Sequence, residues 1–341
     1  MKAFRISFFL LLSTQGITAQ VGGESIFQFL NLTSSSRQVA LGGEVLTLMD
    51  DVNQPIWNPA VINPELDRQL SVNYTSFLAN INVGSASYAH VLSRRFGTIH
   101  GSVQYLNYGT FIEADENGNE TGTFRASDIA VSLGYAFNLP WTSVFMGFNM
   151  KMINSRISNF TSIGIAADFG ILYYSPYQPY SFTVVVRNAG TQIQSFDGTP
   201  ESLPFKVAIG ASYRLKYVPL KWYVTLDNLQ QWNLAVPNPS NQTSDLDGNI
   251  TEEKITFFTN AMRHFVVGAE FFPESAINLR FGYNSRRASE LKLQNVRTFS
   301  GISLGFGIKM NKLRFNYAFS KYYTATNTST FSLQIDLDKR R

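Results

Sequence analysis

The chain of 341 residues contains no cysteine. That excludes disulfides, zinc–thiolate sites, cysteine nucleophiles and the modified cysteine of a bacterial lipoprotein. Charge is scarce as well, at 15%, where a soluble domain carries about a quarter. Past the first residues, no apolar run approaches the roughly 20 residues that a membrane-spanning helix needs. The net charge of +4 is small and spread out. Arg94-Arg95 and Arg286-Arg287 are the only basic doublets before the C-terminal tail, so a nucleic-acid partner has no footprint here. Histidine is limited to His90, His100 and His264.

Aromatic residues are abundant, with 28 Phe and 16 Tyr. From about Leu70 onward they fall into short segments with an apolar group at every second position. Examples are Ile99-Gly101-Val103-Tyr105, Ile129-Val131-Leu133-Tyr135, Ile277-Leu279-Phe281-Tyr283 and Phe331-Leu333-Ile335-Leu337. Period two makes one face of a strand apolar and the other not. Tight connections, such as Ser175-Pro176-Tyr177-Gln178-Pro179, Lys216-Tyr217-Val218-Pro219 and Phe272-Pro273-Glu274-Ser275, alternate with long polar ones at 109–125, 154–161, 188–203, 233–262, 285–297 and 321–329. A soluble sandwich has no reason to alternate in this way, whereas an outer-membrane barrel has tight turns at one end and long loops at the other. About fourteen wall strands are expected, an even number that puts both termini on the periplasmic side. Aromatics and prolines crowd the tight turns, where an interfacial girdle belongs.

The opposite faces of these strands carry Asp128, Lys151, Asp168, Arg187, Lys206, Arg214, Asp227, Glu270, Arg280 and Arg314. Such residues are costly in lipid and ordinary in a lumen. The expected fold class is therefore all-β, a fourteen-stranded antiparallel outer-membrane β-barrel occupying 69–341. Ahead of it, Met1-Lys2-Ala3-Phe4-Arg5 and the apolar Ile6 to Leu12 read as a secretory signal peptide over 1–19, too short to span a bilayer of roughly 30 Å. Residues 20–68 are broken by Gly22-Gly23, Gly42-Gly43 and Asn58-Pro59, which predicts short helices and turns. This segment reads as a hatch or plug in the barrel mouth, the alternative being an ordinary terminal cap.

Chemistry-bearing motifs are few. His100 and His264 have inner-face parity, and no serine stands out as a nucleophile beside them. Asp115-Glu116-Asn117-Gly118-Asn119 and Asp245-Leu246-Asp247-Gly248-Asn249 lack the glycine and glutamate positions of a calcium loop and read as polar loop tips. No catalytic, cofactor-binding or metal residue is assigned. The longest connection, 233–262, is expected to hold a short helix near 251–263 and to serve as a partner surface or a lid.

Several blocks resemble a known family. They are Gly22-Gly23-Glu24-Ser25 with Phe27, Phe29, Leu30 and Leu32; Ala40-Leu41-Gly42-Gly43; Asp50-Asp51; Asn58-Pro59-Ala60; and Gln104-Tyr105-x-Asn107-Tyr108-Gly109-x-Phe111. Ala114-Asp115-Glu116-x-Gly118, Leu203-Pro204-Phe205, Leu229-Gln230-Gln231-Trp232 and Asn260-Ala261-Met262-Arg263-His264 continue the likeness across the mature chain. The set resembles the PorQ group of the PorV/PorQ family of the type IX secretion system, within the wider FadL-like barrels. The resemblance implies a FadL-like barrel with an N-terminal hatch, in the cell outer membrane of a Gram-negative, Bacteroidetes-type bacterium. Its role there would be non-enzymatic docking of a PorZ-like surface protein, and through it PorU and PorV, in the attachment complex that processes and attaches secreted cargo. The alternative is a FadL-like transporter for a hydrophobic small molecule.

Overall fold

The computed structural model describes residues 25–77, 81–93, 96–139, 142–235, 243–244, 250–251, 255–291, 299–322 and 327–337. The expected signal peptide, Arg94-Arg95, Pro140-Trp141, the acidic segment 245–249 and the charged tail 338–341 lie outside them.

The alternating segments form β1 (Gln69–Ser76), β2 (Asn82–Ser93), β3 (Gly97–Ala114), β4 (Glu120–Asn138), β5 (Val144–Ile157), β6 (Phe160–Tyr174), β7 (Tyr180–Gln194), β8 (Lys206–Arg214) and β9 (Leu220–Leu226). A small ribbon, β10 (Thr243–Ser244) with β11 (Ile250–Thr251), stands apart in the long connection. The wall resumes with β12 (Phe265–Phe271), β13 (Ile277–Asn284), β14 (Ile302–Lys309), β15 (Leu313–Ser320) and β16 (Thr328–Asp336). Each wall strand pairs antiparallel with its neighbour, and β1 closes on β16 from Gln69↔Asp336 to Ser76↔Ser329. The result is a closed fourteen-stranded barrel. Closure matters because a free strand edge would leave peptide groups unpaired, which is prohibitive in hydrocarbon.

The faces are inverted relative to a soluble protein. Val103, Ile129, Leu133, Met150, Met152, Val184, Leu279 and Leu304 point outward and are exposed. Their strand neighbours Ser102, Asp128, Ser132, Lys151, Asn278, Arg280 and Ser303 are buried inside. An exposed apolar belt around a polar interior is stable only against lipid.

Connection lengths differ from the sequence expectation in one respect. The stretches 109–125 and 154–161 are mostly strand: β3 and β4 are joined by 115–119 alone, and β5 and β6 by Ser158-Asn159. Polar residues there mark strand that has left the apolar belt, which composition cannot distinguish from loop. Long connections join β9 to β12 over 227–264, where α2 (Phe257–Arg263) lies, and β13 to β14 over 285–301, where α3 (Ser285–Glu290) lies.

Residues 25–68 run through the lumen from the loop end, where Ile26 N bonds Ser202 O at 3.0 Å, to the turn end, where Arg68 N bonds Ala89 O at 2.9 Å. This segment contains α1 (Ser36–Ala40) and 3-10 turns at Gln28–Asn31, Gln54–Ile56, Pro59–Val61 and Pro64–Leu66. We call it the hatch. Two inward glycines show how tightly it seats. A Cβ on Gly147 would lie 2.2 Å from the carbonyl carbon of Pro59, and one on Gly282 would lie 2.1 Å from Gly42 N.

Leu133, 69% exposed on the outer wall, tests the inversion. Leu133→Arg is expected to lower folding stability in phospholipid vesicles by about 2–4 kcal/mol, the cost of arginine near a bilayer midplane. Reversible denaturant titration measures this, and an unchanged midpoint would place that face outside lipid.

Candidate functional site: a sealed lumen and a loop-end platform

The hatch is held by charge. Arg37, in α1, donates from Nε to Glu270 Oε1 at 3.1 Å and from Nη2 to Oε2 at 2.8 Å, while its Nη1 reaches Asp50 at 2.9 Å. From the wall, Arg280 Nε donates to the same Glu270 at 2.8 Å and Tyr223 OH donates at 3.0 Å. Glu270 has no exposed surface, so the bidentate hatch arginine is what makes its burial tolerable. Asp50, its side chain half exposed to the turn-end mouth, is flanked by Arg37 and Arg314.

Two further clusters stand along strands β5 to β9. Lys206 Nζ sits 3.2 Å from Glu44 of the hatch and 3.0 Å from Asp227. Lys151 Nζ sits 2.7 Å from Asp168 and 2.8 Å from Asn188 Oδ1. There the β6–β7 register shifts between Ala167 and Phe169, and Asn188 has φ +55° with its N–H on Asp168. Arg187 stacks on Trp57 of the hatch at 4.0 Å and donates to Leu30 O at 3.1 Å.

The Asn-Pro-Ala motif acts as a lock. Asn58 Oδ1 accepts from Ala60 N, while its Nδ2 donates to Leu46 O and to Thr183 Oγ1 of the wall. Asn63-Pro64 repeats the device: Asn63 Oδ1 accepts from Glu65 N and Nδ2 donates to Met49 O. Pro at the first position of each 3-10 turn loses no needed donor.

The inner-face residues expected from sequence are all in the lumen, but they are not one site. Asp128 bonds Tyr108 OH at 2.7 Å and Ser155. Arg214 sits at the turn-end mouth, half exposed, with Glu274. Arg314, also at that mouth, reaches Asp50 Oδ2 at 3.5 Å. Sequence reasoning missed Arg37, Glu44, Asp50 and Tyr223. Asp50 was visible only as part of the Asp50-Asp51 block, Arg37 and Glu44 only as charge in an otherwise small and apolar segment, and Tyr223 only as one more wall aromatic.

None of the histidines faces a serine hydroxyl. His100 Nε2 lies 2.9 Å from Val52 O, His264 stands between the carbonyls of Asp227 and Trp232, and His90 lies 3.3 Å from Asp67. No group of three or more His, Asp or Glu residues among those described could hold a metal ion. Asp115 accepts from Asn119 Nδ2 and from the N–H groups of Asn119 and Asn117, which lowers its pKa and closes the β3–β4 tip.

Open volume lies at the turn end. A groove of about 780 Å³ runs between the turns carrying Tyr177, Tyr217 and Phe272, and a charged vestibule of about 330 Å³ beneath the hatch is lined by Arg37, Asp50, Glu65, Arg214 and Lys221. A mid-lumen cavity beside Leu30 and Lys151 holds only about 10 Å³.

At the loop end, three blocks distant in sequence form one unit. Asn260 Oδ1 accepts from Leu234 N and Ala235 N, and its Nδ2 donates to Trp232 O. The Trp232 ring stacks on His264 at 5.2 Å. Gln230 Oε1 accepts from Val207 N, and Asn188 Nδ2 donates to Pro204 O. Leu203–Phe205, Leu229–Trp232 and Asn260–His264 thus build one platform over β7–β9.

Two outcomes follow. Glu270→Gln is expected to cost about 3–5 kcal/mol, because two buried guanidinium groups lose their carboxylate. It should also make 25–68 cleavable by protease while the wall stays intact, as read by limited proteolysis and mass spectrometry. The Glu44 carboxyl is pushed up from 4.5 to about 7 by burial and by Asp227, against the pull of Lys206. The folded state therefore holds this proton more tightly than the unfolded state. The resulting stabilisation is complete below about 4.5 and is lost as pH rises through 7. Glu44→Gln should remove this slope from the pH dependence of the denaturation midpoint.

No family model and no curated protein matches the sequence. Among solved structures, the Ralstonia pickettii toluene transporter TbuX is similar over 91% of this chain and 100% of its own, with TM-score 0.52 and 11% identity. The TodX monoaromatic hydrocarbon channel (a deltaS2 mutant) covers 90% and 98%, at TM-score 0.51 and 12% identity. A Pseudomonas aeruginosa FadL homologue covers 92% and 100%, at TM-score 0.50 and 8% identity. The chain has the fourteen-stranded fold of the FadL-like outer-membrane barrels.

Proposed function

We propose that the protein is a non-enzymatic outer-membrane barrel of the type IX secretion machinery that docks a PorZ-like surface protein, and through it PorU and PorV, on its loop end. In this reading the tight turns and both termini lie in the periplasm and the loops face outward. The observation that carries it is the platform. The blocks Leu229–Trp232 and Asn260–His264 bear much of the more specific part of the family resemblance. They are spent on holding one another in a surface above a filled lumen, with no reacting group among them. An anchor needs a rigid outer surface and a closed barrel, and this geometry suits both needs.

The second reading, transport of a hydrophobic small molecule, is favoured by the fold shared with hydrocarbon-conducting barrels. It requires the hatch to move, since the mid-lumen cavity of about 10 Å³ has room for about one water at most.

Deleting the gene in its own host separates the two. Under the docking reading, type IX cargo loses surface attachment and keeps its C-terminal signal. Cargo that is still processed and attached rejects docking, and impaired uptake of a hydrophobic compound in the same strain then selects transport.

A further inference from the structure

We propose that α2 is an interfacial foot: its apolar face lies in the lipid leaflet at the loop end and pins the longest loop to the membrane surface. This inference rests on the lipid-embedded barrel alone and stands whether the loop end docks a protein or admits a solute.

The wall is low where α2 attaches. Strands β9 and β12 have seven residues each. At ~3.4 Å per residue and a tilt of ~35–45°, seven residues rise only ~17–20 Å along the membrane normal, against an apolar belt of ~25 Å. Residues outside the strands must complete the belt at both ends. Tyr217, Val218 and Phe272, all exposed, do so at the turn end.

At the loop end the chain enters β12 directly from α2, with only His264 between them. Phe265 faces outward by strand parity, because Val266 and Gly268 on either side of Val267 press on Gly42 and Leu41 of the hatch. Phe258 and Met262 are spaced four apart, so they share one face of α2, and Phe265 follows on β12 two residues past the helix. Phe258 is 72% exposed and Met262 36%. That face therefore continues the outward belt through Phe265 and its rung partner Leu226. Phe257, 76% exposed, flanks this face and packs on Trp232 at 5.1 Å. The opposite face carries Asn260 and Arg263, both buried, and Asn260 holds the platform loop. This is an amphipathic turn of helix with its polar side on the protein and its apolar side contiguous with a surface that already faces lipid.

A protein partner seated on the same aromatics is the competing occupant, and depth measurement separates the two. The natural chain has no cysteine, so Phe258→Cys and Met262→Cys each give a single spin-label site in the full chain. Leu133→Cys on the wall and Thr199→Cys in the exposed β7–β8 loop are the references. The labelled barrels are folded into phosphatidylcholine–phosphatidylglycerol vesicles and probed by power saturation with oxygen and a water-soluble nickel chelate. The proposal expects an oxygen preference at 258 and 262 approaching that at 133 and severalfold above that at 199. Nickel preference at both positions, as at 199, would overturn it and leave α2 free for a protein partner. Met262→Cys removes no aromatic ring, so it decides the matter if Phe258→Cys fails to fold.

Discussion

A barrel that turns its apolar residues outward leaves its polar residues nowhere to go but inward, and the rest of this molecule is the consequence of satisfying them there. Wall strands bring Lys151, Asp168, Arg187, Lys206, Glu270 and Arg280 into a space where water is nearly excluded. Each buried charge must meet a partner or be neutralised. The wall supplies some partners itself, as at Lys151 and Asp168. The hatch supplies the rest: Arg37 joins Arg280 on Glu270, Glu44 joins Asp227 on Lys206, and the Leu30 carbonyl and Trp57 ring meet Arg187. Hatch and wall therefore complete each other electrostatically.

Close approach is the other half of that fit. The hatch backbone lies on the wall at positions where the strand has no side chain, as Pro59 does on Gly147 and Gly42 on Gly282. Asn58 then reaches from the same turn to a wall hydroxyl. Such contacts tolerate little sliding, because packed interiors resist change even at the scale of one methylene. A solute path through this lumen would have to break the Glu270 cluster and lift the Asn58 turn together. That is a cooperative displacement, and small breathing motions do not supply it.

The sequence made the wall legible because its signal is local. Alternation at Ile129-Val131-Leu133-Tyr135 is decided by residues two apart, and it gave strand number, facing and the polar lumen. The hatch was legible as an interruption, through Gly42-Gly43 and Asn58-Pro59. The ends of the strands were not, because β3 to β7 continue as polar ribbons once they leave the belt. The pairing of Arg37 with Glu270 spans 233 residues, and no local pattern announces a partner that far away. The loop-end platform was present as three separate blocks, and only the fold brings Asn260 to Trp232.

Seal and platform are built on the same strand ends, and this bears on any function at the loop end. Asn188 holds Pro204 with its amide nitrogen and Lys151 with its oxygen. Lys206, just beyond, binds hatch Glu44 and wall Asp227 together. The Asp227 carbonyl in turn meets His264, whose ring lies on Trp232. Hydrogen bonds, ion pairs and one ring stack thus run without a gap from the hatch to the platform surface. A shift of Trp232 under a bound partner would be felt at Lys206, and a shift of the hatch at Glu44 would be felt at Asp227. What sits on the platform and what fills the lumen are, in this molecule, two ends of one packed structure.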